Sequence, residues 1–339
     1  MKLKHSIIVS IFLIFFSSCK NKNTLTVKSP NSQISVIFNS NNEGINYTIA
    51  YKDSVLIKPS KLGFHFKEMQ PLEKDLVINE FKYSNSNTIW TQVWGENEEI
   101  IDNYNKLFIS LQEKEGLKRK INIVFKLYND GVGFRYEIPT QKNIDNIYIT
   151  NELTEFNFVK NHSAWFIPAN FDSYETLYKN ELLSEVPSAN TPITFETKDG
   201  NFISIHEANL TNYAGMTLNK NSEDNLSFEA NLVPWPNGVK VKTKTPMQSP
   251  WRTIQITDKA EKLVASNLIL NLNEPNKIED VSWIEPMKYI GIWWGMHLGT
   301  HTWTLGDKHG ANTKDTKEYI DFAAEHNISG VLVEGWNTG

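Results

Sequence analysis

Cysteine is almost missing from this 339-residue chain, which has one, Cys19. The fold therefore has no internal disulfide and no cysteine-built zinc or iron–sulfur centre. An excess of positive charge is missing too. Lys and Arg number 34 against 39 Asp and Glu, a net charge of −5, and no long basic block occurs. Nucleic-acid binding driven by phosphate attraction is thereby disfavoured. The longest apolar run, Ile7 to Phe16, is only half of the roughly 20 residues that span a bilayer as a helix. There is no repeat of fixed period, no Gly-rich phosphate loop, no Gly-x-Ser-x-Gly elbow and no His-Glu-x-x-His helix, so the commonest phosphate, acyl-transfer and zinc-hydrolase signatures are absent.

What is present is globular. Hydrophobic residues make up 40% and charged residues 22%, enough apolar side chain to build a core. The length corresponds to roughly two domains. Tryptophan is plentiful, with Trp283, Trp293, Trp294, Trp303 and Trp336 all beyond residue 280. An indole serves equally as core, interface or sugar-stacking platform.

The first residues read as an export signal. Lys2, Lys4 and His5 precede the apolar run, which ends in Phe16-Ser17-Ser18-Cys19. This is the form of a secretory signal with a lipobox; a plain signal with an incidental cysteine is the other reading. With the lipobox, residues 1–19 form the signal with Cys19 as the lipidation site, and acyl chains hold the protein on a membrane. The expected location is that of an exported lipoprotein, at the periplasm or outer membrane of a Gram-negative bacterium. Lys20 to Thr24 reads as a polar tether.

From Leu25 to about Asn271 the chain is expected to be almost wholly strand. Runs such as Gln33–Phe38, Lys106–Leu111 and Ile121–Leu127 are short and rich in β-branched residues, with turn clusters such as Asn129-Asp130-Gly131 between them. Many strands without helical spacing predict a large β-sandwich over residues 20–275. A polar linker, residues 276–286, follows. The remainder, residues 287–339, changes to a β-α-β order. Tyr289 to Trp294 predicts a strand, and Thr316 to His326 a helix with Tyr319, Ile320, Ala323 and Ala324 on one face. Asn327 or Gly330 stops that helix, and Gly330 to Trp336 predicts a second strand, parallel to the first. A (β/α)8 barrel needs roughly 250 residues, so this end reads as the start of a truncated barrel in an N-terminal fragment.

Few residues carry chemistry. Strand alternation puts Glu207 on the face of Ile203 and Ile205, where a carboxylate must be paired or bind a cation; the alternative is a strand that ends at His206 and a solvated Glu207. Glu334 closes Val331-Leu332-Val333 at the carboxyl end of the predicted barrel strand, where barrels place substrate contacts; a carboxylate capping the next helix fits equally. Trp336 shares its parity, and Asn337 offers a donor and an acceptor to hydroxyls. His297 holds the matching place after the first strand, as substrate contact or structural hydrogen bonder. Arg252, flanked by apolar residues, is expected in a structural ion pair, and Asp130–Phe134 is expected to open a strand without chemistry.

In order, Val93–Glu96, Asp130–Tyr136, Ser204–Ala208, Val233–Pro236, Pro250–Ile254, Tyr289–Trp294, Tyr319–Ala324 and Gly330–Asn337 resemble glycoside hydrolase family 97, a bacterial family of α-glucosidases and α-galactosidases. The resemblance implies a galactose-mutarotase-like β-super-sandwich followed by a catalytic (β/α)8 barrel. It also implies a Ca²⁺ in the catalytic site, with Glu207 as the sandwich ligand, and catalytic carboxylates on strands this chain does not contain, so that the fragment alone is expected to be inactive. The implied activity is exo-acting hydrolysis of terminal α-glucosidic linkages of oligosaccharides. A retaining α-galactosidase and a non-catalytic carbohydrate-binding lipoprotein are the alternatives.

Overall fold

The computed structural model describes residues 23–334. The signal segment with Cys19, and Trp336 and Asn337, lie outside those residues. The chain divides into two units, residues 1–275 and 276–339.

The first unit is a β-sandwich. Its smaller face is an antiparallel meander of four strands, Thr24–Lys28, Ile34–Asn41, Gly44–Tyr51 and Ser54–Leu62. Period-two alternation builds it: in Ile34–Asn41 the side chains of Ile34, Val36 and Phe38 are buried, and the residues between them are only partly covered. The opposing face is a ten-stranded antiparallel sheet. Its main path runs Lys179–Leu182, Ser163–Phe166, Ile193–Glu196, Phe202–Ala208, Trp251–Thr257, Gly131–Ile138, Lys120–Tyr128, Glu99–Glu113 and Leu76–Thr91. Phe38 lies 6.3 Å from Phe125 between ring centroids, and Tyr47 4.9 Å from Phe134, so aromatic rings bridge the two faces. Each fully buried Phe contributes about 1.5–3 kcal/mol through lost apolar hydration. Two smaller antiparallel sheets complete the unit, one of them containing the strand Asn146–Glu152.

The expectation of strand up to Asn271 needs correction. Glu261–Val264 and Leu268–Leu272 are short helices. Leu268 and Leu272, one turn apart, pack with Val124, Tyr128, Ala208 and Trp251 on the outer side of the large sheet. That is why every residue of Trp251–Thr257 is buried. Gly131 and Gly133 admit the helix. A Cβ on Gly131 would lie 2.6 Å from the Ile254 carbonyl oxygen, and one on Gly133 2.5 Å from Leu272 Cδ1. The Asp130–Phe134 segment thus opens a strand, as expected, and its glycines have a packing role.

In the second unit, Tyr289–Gly291 pairs in parallel with Gly330–Leu332, and the helix Thr313–Glu325 lies between them in sequence. The predicted first strand stops at Gly291, short of Trp294. The ring of Trp293 folds back over Gly291, where a Cβ would meet it at 1.1 Å, and the chain enters the one-turn helix Trp294–His297. The long helix starts earlier than predicted because the Asn312 side chain accepts from Asp315 N at 3.0 Å. It ends as Asn327 adopts φ 54°. Of its predicted apolar face only Ala323 is buried. The second strand stops at Leu332. Among the described residues no helix is long and apolar enough to cross a membrane.

Candidate functional site

The strand Phe202–Ala208 does not end at His206. Glu207 remains in the ladder, directly opposite Arg252 on Trp251–Thr257, and its side chain is 9% exposed. A third charged residue, Glu152, closes the strand Asn146–Glu152 beneath them. Arg252 and Glu152 are both 0% exposed.

All three guanidinium nitrogens donate, each to a carboxylate oxygen. Arg252 Nε donates to Glu152 Oε1 at 2.8 Å and Nη2 to Glu152 Oε2 at 2.7 Å, while Nη1 donates to Glu207 Oε2 at 2.6 Å. Thr154 Oγ1 donates to Glu152 Oε1, and the Tyr213 hydroxyl to Oε2, each at 2.8 Å. Tyr136 extends the network through its hydroxyl, 2.7 Å from Thr154 Oγ1. Each Glu152 oxygen therefore has two donors, which saturates it. Glu207 is different. Its Oε1 accepts from Met216 N at 3.0 Å and its Oε2 from Arg252. One acceptor position stays open on each oxygen.

Electrostatics follow from the count. Burial would raise the Glu152 carboxyl, but the charge and hydrogen bonds of Arg252 outweigh it and hold Glu152 below the usual carboxylate range. Burial likewise opposes charge on Arg252, and Glu152 and Glu207 together hold it above its ordinary value. Burial, then the charge of Glu152, pushes the Tyr213 phenol up. Two carboxylates sharing one guanidinium leave the trio one negative charge, and the free lone pairs are on its outer member.

His206, facing the other way, places Nδ1 3.0 Å from Thr191 Oγ1. Burial lowers it, against the opposing charge of Glu207.

As a metal site this arrangement supplies one hard oxygen ligand, Glu207, preset by Arg252 and Met216. Among the described residues no group of three or more His, Cys, Asp or Glu side chains could hold a metal ion. Glu207 alone could give a hard cation, whose shell takes six to eight oxygens, only part of its ligands.

The structure brings Glu207 and Arg252 together, and Arg252 makes the ion pair expected of it. Glu152, Thr154 and Tyr213 were not legible in advance. In the second unit His297 is exposed, its ring 6.2 Å from Trp294 and 6.0 Å, edge-on, from Trp303. Glu334 lies exposed two residues past Gly330–Leu332. His301 is the histidine here with a charged neighbour, its Nε2 3.4 Å from Asp315 Oδ2.

Comparison with known proteins places these features. Residues 27–275 match the family described as Glycosyl-hydrolase 97 N-terminal, and residues 293–339 match Glycoside hydrolase 97. A glycoside hydrolase family 97 enzyme from Pseudoalteromonas sp. strain K8, solved in complex with panose and with acarbose, is 46% identical with a TM-score of 0.86. The match covers 93% of this chain and 48% of that one. A retaining α-galactosidase of Bacteroides thetaiotaomicron is 26% identical over 274 residues, 70% of this chain and 39% of the relative. A β-arabinopyranosidase, 20% identical with a TM-score of 0.78, shares the fold. The chain spans about half the length of the solved relatives it matches.

Proposed function

The chain belongs to glycoside hydrolase family 97, and we propose that its protein is an exo-acting, calcium-dependent α-glycosidase that removes terminal α-glucosyl units from oligosaccharides. The observation that carries the site reading is Glu207, a preset carboxylate with open lone pairs at the outer end of a buried, net-negative trio. The α-gluco preference is supported by the 46% identical relative, whose complexes hold panose and acarbose. The α-galactosidase reading is supported by the curated relative at 26% identity.

Glycoside hydrolysis needs two carboxyl groups, one protonating the leaving oxygen and one acting as base or nucleophile. A separation of about 5–5.5 Å gives retention, and about 6.5–9.5 Å inversion. Neither catalytic role is assigned among the described residues, because Glu152 is saturated and sealed and Glu207 is engaged by Arg252. This chain's contribution to the chemistry is to orient a ligand oxygen at Glu207. Calcium, when bound, supplies a fixed positive charge that shifts nearby carboxyls and orders substrate oxygens. His297, Glu334, Trp336 and Asn337 are assigned to substrate contact, and Cys19 to lipid attachment.

The test uses the protein as its gene encodes it, with p-nitrophenyl α-glucoside and α-galactoside, before and after exhaustive EDTA treatment. Release of p-nitrophenol from the glucoside, lost on chelation and restored by Ca²⁺, is expected. Faster cleavage of the galactoside would transfer the assignment to the second reading. Cleavage of neither refutes the activity, and full activity after chelation refutes the metal. For the anchor, labelled palmitate is expected in the wild type and not in Cys19→Ser.

A further inference from the structure

Between the strands Ser163–Phe166 and Lys179–Leu182 the chain makes a long excursion, residues 167–178, without strand or helix. Apolar residues crowd it. Phe171 is 45% exposed, Tyr174 73%, Leu177 89% and Tyr178 60%. Four apolar side chains exposed together on one short segment form a candidate contact surface.

The sheet register locates this segment. Ser163–Phe166 and Phe202–Ala208 are each antiparallel to Ile193–Glu196, which lies between them. They therefore point the same way, and residues 167–178 leave the sheet at the end where Glu207 sits. Hydrogen bonds join the two. Asn190 N donates to Ile167 O at 2.9 Å, and Asn170 N to Asn190 Oδ1 at 3.3 Å. The next residue, Thr191, donates its hydroxyl to Met216 O at 3.2 Å, and Met216 N donates to Glu207.

The segment is braced from within. Asn170 Oδ1 accepts from Asp172 N at 2.8 Å and Ser173 N at 3.2 Å, and Ser173 Oγ accepts from Glu175 N at 3.1 Å. The rings are thus carried on a built turn. At its base Asn190 Nδ2 is buried without a hydrogen-bond partner, as are Asn122 Oδ1, His162 Nδ1 and Thr253 Oγ1 elsewhere.

We propose that residues 170–178 form a sugar-stacking wall beside Glu207, which binds the units of a neutral α-linked oligosaccharide that follow the terminal sugar. Sugars present apolar C–H faces and hydroxyl edges together. The tyrosine rings suit the faces, and the Asp172 carboxylate suits the hydroxyls. Charge argues against an anion, because Asp172 and Glu175 are acidic and Lys179 already faces Glu181 at 4.0 Å. This inference rests on the glycosidase reading and names its substrate more closely.

The test compares two substrates on the protein as its gene encodes it. Panose reaches past the terminal unit, and p-nitrophenyl α-glucoside does so much less. In Tyr174→Ala/Tyr178→Ala, KM for panose is expected to rise about tenfold, with kcat and the p-nitrophenyl glucoside constants within about twofold. Tyr174→Phe/Tyr178→Phe keeps the ring faces and is expected to restore panose binding. If the galactoside is the substrate, raffinose and p-nitrophenyl α-galactoside take the same places. An equal fall on both substrates, or no change on either, overturns the wall. If the wild type cleaves neither substrate, the glycosidase reading fails separately. The wall is then judged by titrating the 339-residue chain with maltotriose, where binding weakened by the alanines upholds it and absence of wild-type binding overturns it.

Discussion

Arg252→Met should turn the buried trio from a neutralised arrangement into two stranded acids, and the cost can be worked from the contacts. Met has similar bulk and no charge. Glu152 keeps the hydroxyls of Thr154 and Tyr213 but, at 0% exposure, has neither water nor a cation, so it folds in the protonated form. Holding a carboxyl neutral at pH 7 against an unfolded value near 4.3 costs about 3.7 kcal/mol, at about 1.36 kcal/mol per pH unit. Measured losses on breaking buried pairs are about 3–5 kcal/mol. For a unit of this size the melting temperature should fall by roughly 7–15 °C. The pH dependence gives the sharper check. In the wild type Glu152 is depressed, so its stabilisation is present above the unfolded pKa and is lost as pH falls through the folded one. In Arg252→Met the same group is raised above its unfolded value, so its penalty is absent at low pH and grows as pH rises. The gap between the proteins should therefore be widest at pH 7, narrow toward pH 4.5 as the variant's penalty disappears, and close only below that, as wild-type Glu152 itself takes a proton; it is followed by far-ultraviolet circular dichroism on heating. Arg252→Met/Glu152→Gln should recover part of the loss at pH 7. A gap below about 1 kcal/mol, or one that does not depend on pH, would refute the reasoning.

Three further outcomes are expected. Gly131→Ala should cost about 1–3 kcal/mol, because its Cβ meets the Ile254 carbonyl and Gln255 Cα, backbone atoms that cannot turn aside; urea denaturation reads it, and a neutral result would show that the strand shifts freely. His206 and His162 are lowered mainly by burial, so the unfolded chain takes the proton first, and stability should decline as pH falls below about 6.5. His206→Gln should flatten that limb, and an unchanged limb would remove His206 from it. Glu207→Gln in the protein as its gene encodes it should abolish the rise in melting temperature on adding Ca²⁺, a rise of about 2.7 kcal/mol in stability at a hundredfold excess over Kd; persistence of the full rise would remove Glu207 from the metal shell.

Much of this was legible because period-two alternation is simple where strands are regular. Ile203, Ile205 and Glu207 share a face in the sequence and in the structure, and Arg252 amid apolar neighbours announced a partner without naming it. Glu152 stayed hidden for a definite reason. With Ile147 and Ile149 buried, strict alternation sends residue 152 outward. A bulge between Ile149 and Asn151 adds one residue and reverses the parity, which turns Glu152 inward. Tyr213 lies outside any strand or helix, so no periodicity could place it. The helix Leu268–Leu272 is too short for its spacing to be told from a strand. The misread strand at Tyr289–Trp294 reflects a ring folding back on Gly291, which no propensity records.

A buried ion pair is weak support for stability, since an apolar set of equal volume would serve as well or better. The trio is better understood through its stoichiometry. One guanidinium against two carboxylates leaves a negative charge that Glu152, with four donors, cannot offer to anything. Glu207 keeps the open lone pairs and is fixed between Arg252 and Met216 N, so the charge is presented in one direction. Glu152→Gln separates this view from a merely structural one. It touches no atom of Glu207, yet it makes the trio neutral and releases Arg252 to serve Glu207 alone. If the residual charge is what draws a cation, Ca²⁺ should bind about tenfold more weakly, read as the concentration that half-saturates the thermal shift, while Glu207→Gln abolishes the shift. Unchanged Ca²⁺ dependence in Glu152→Gln would show that Glu207 acts without the charge behind it.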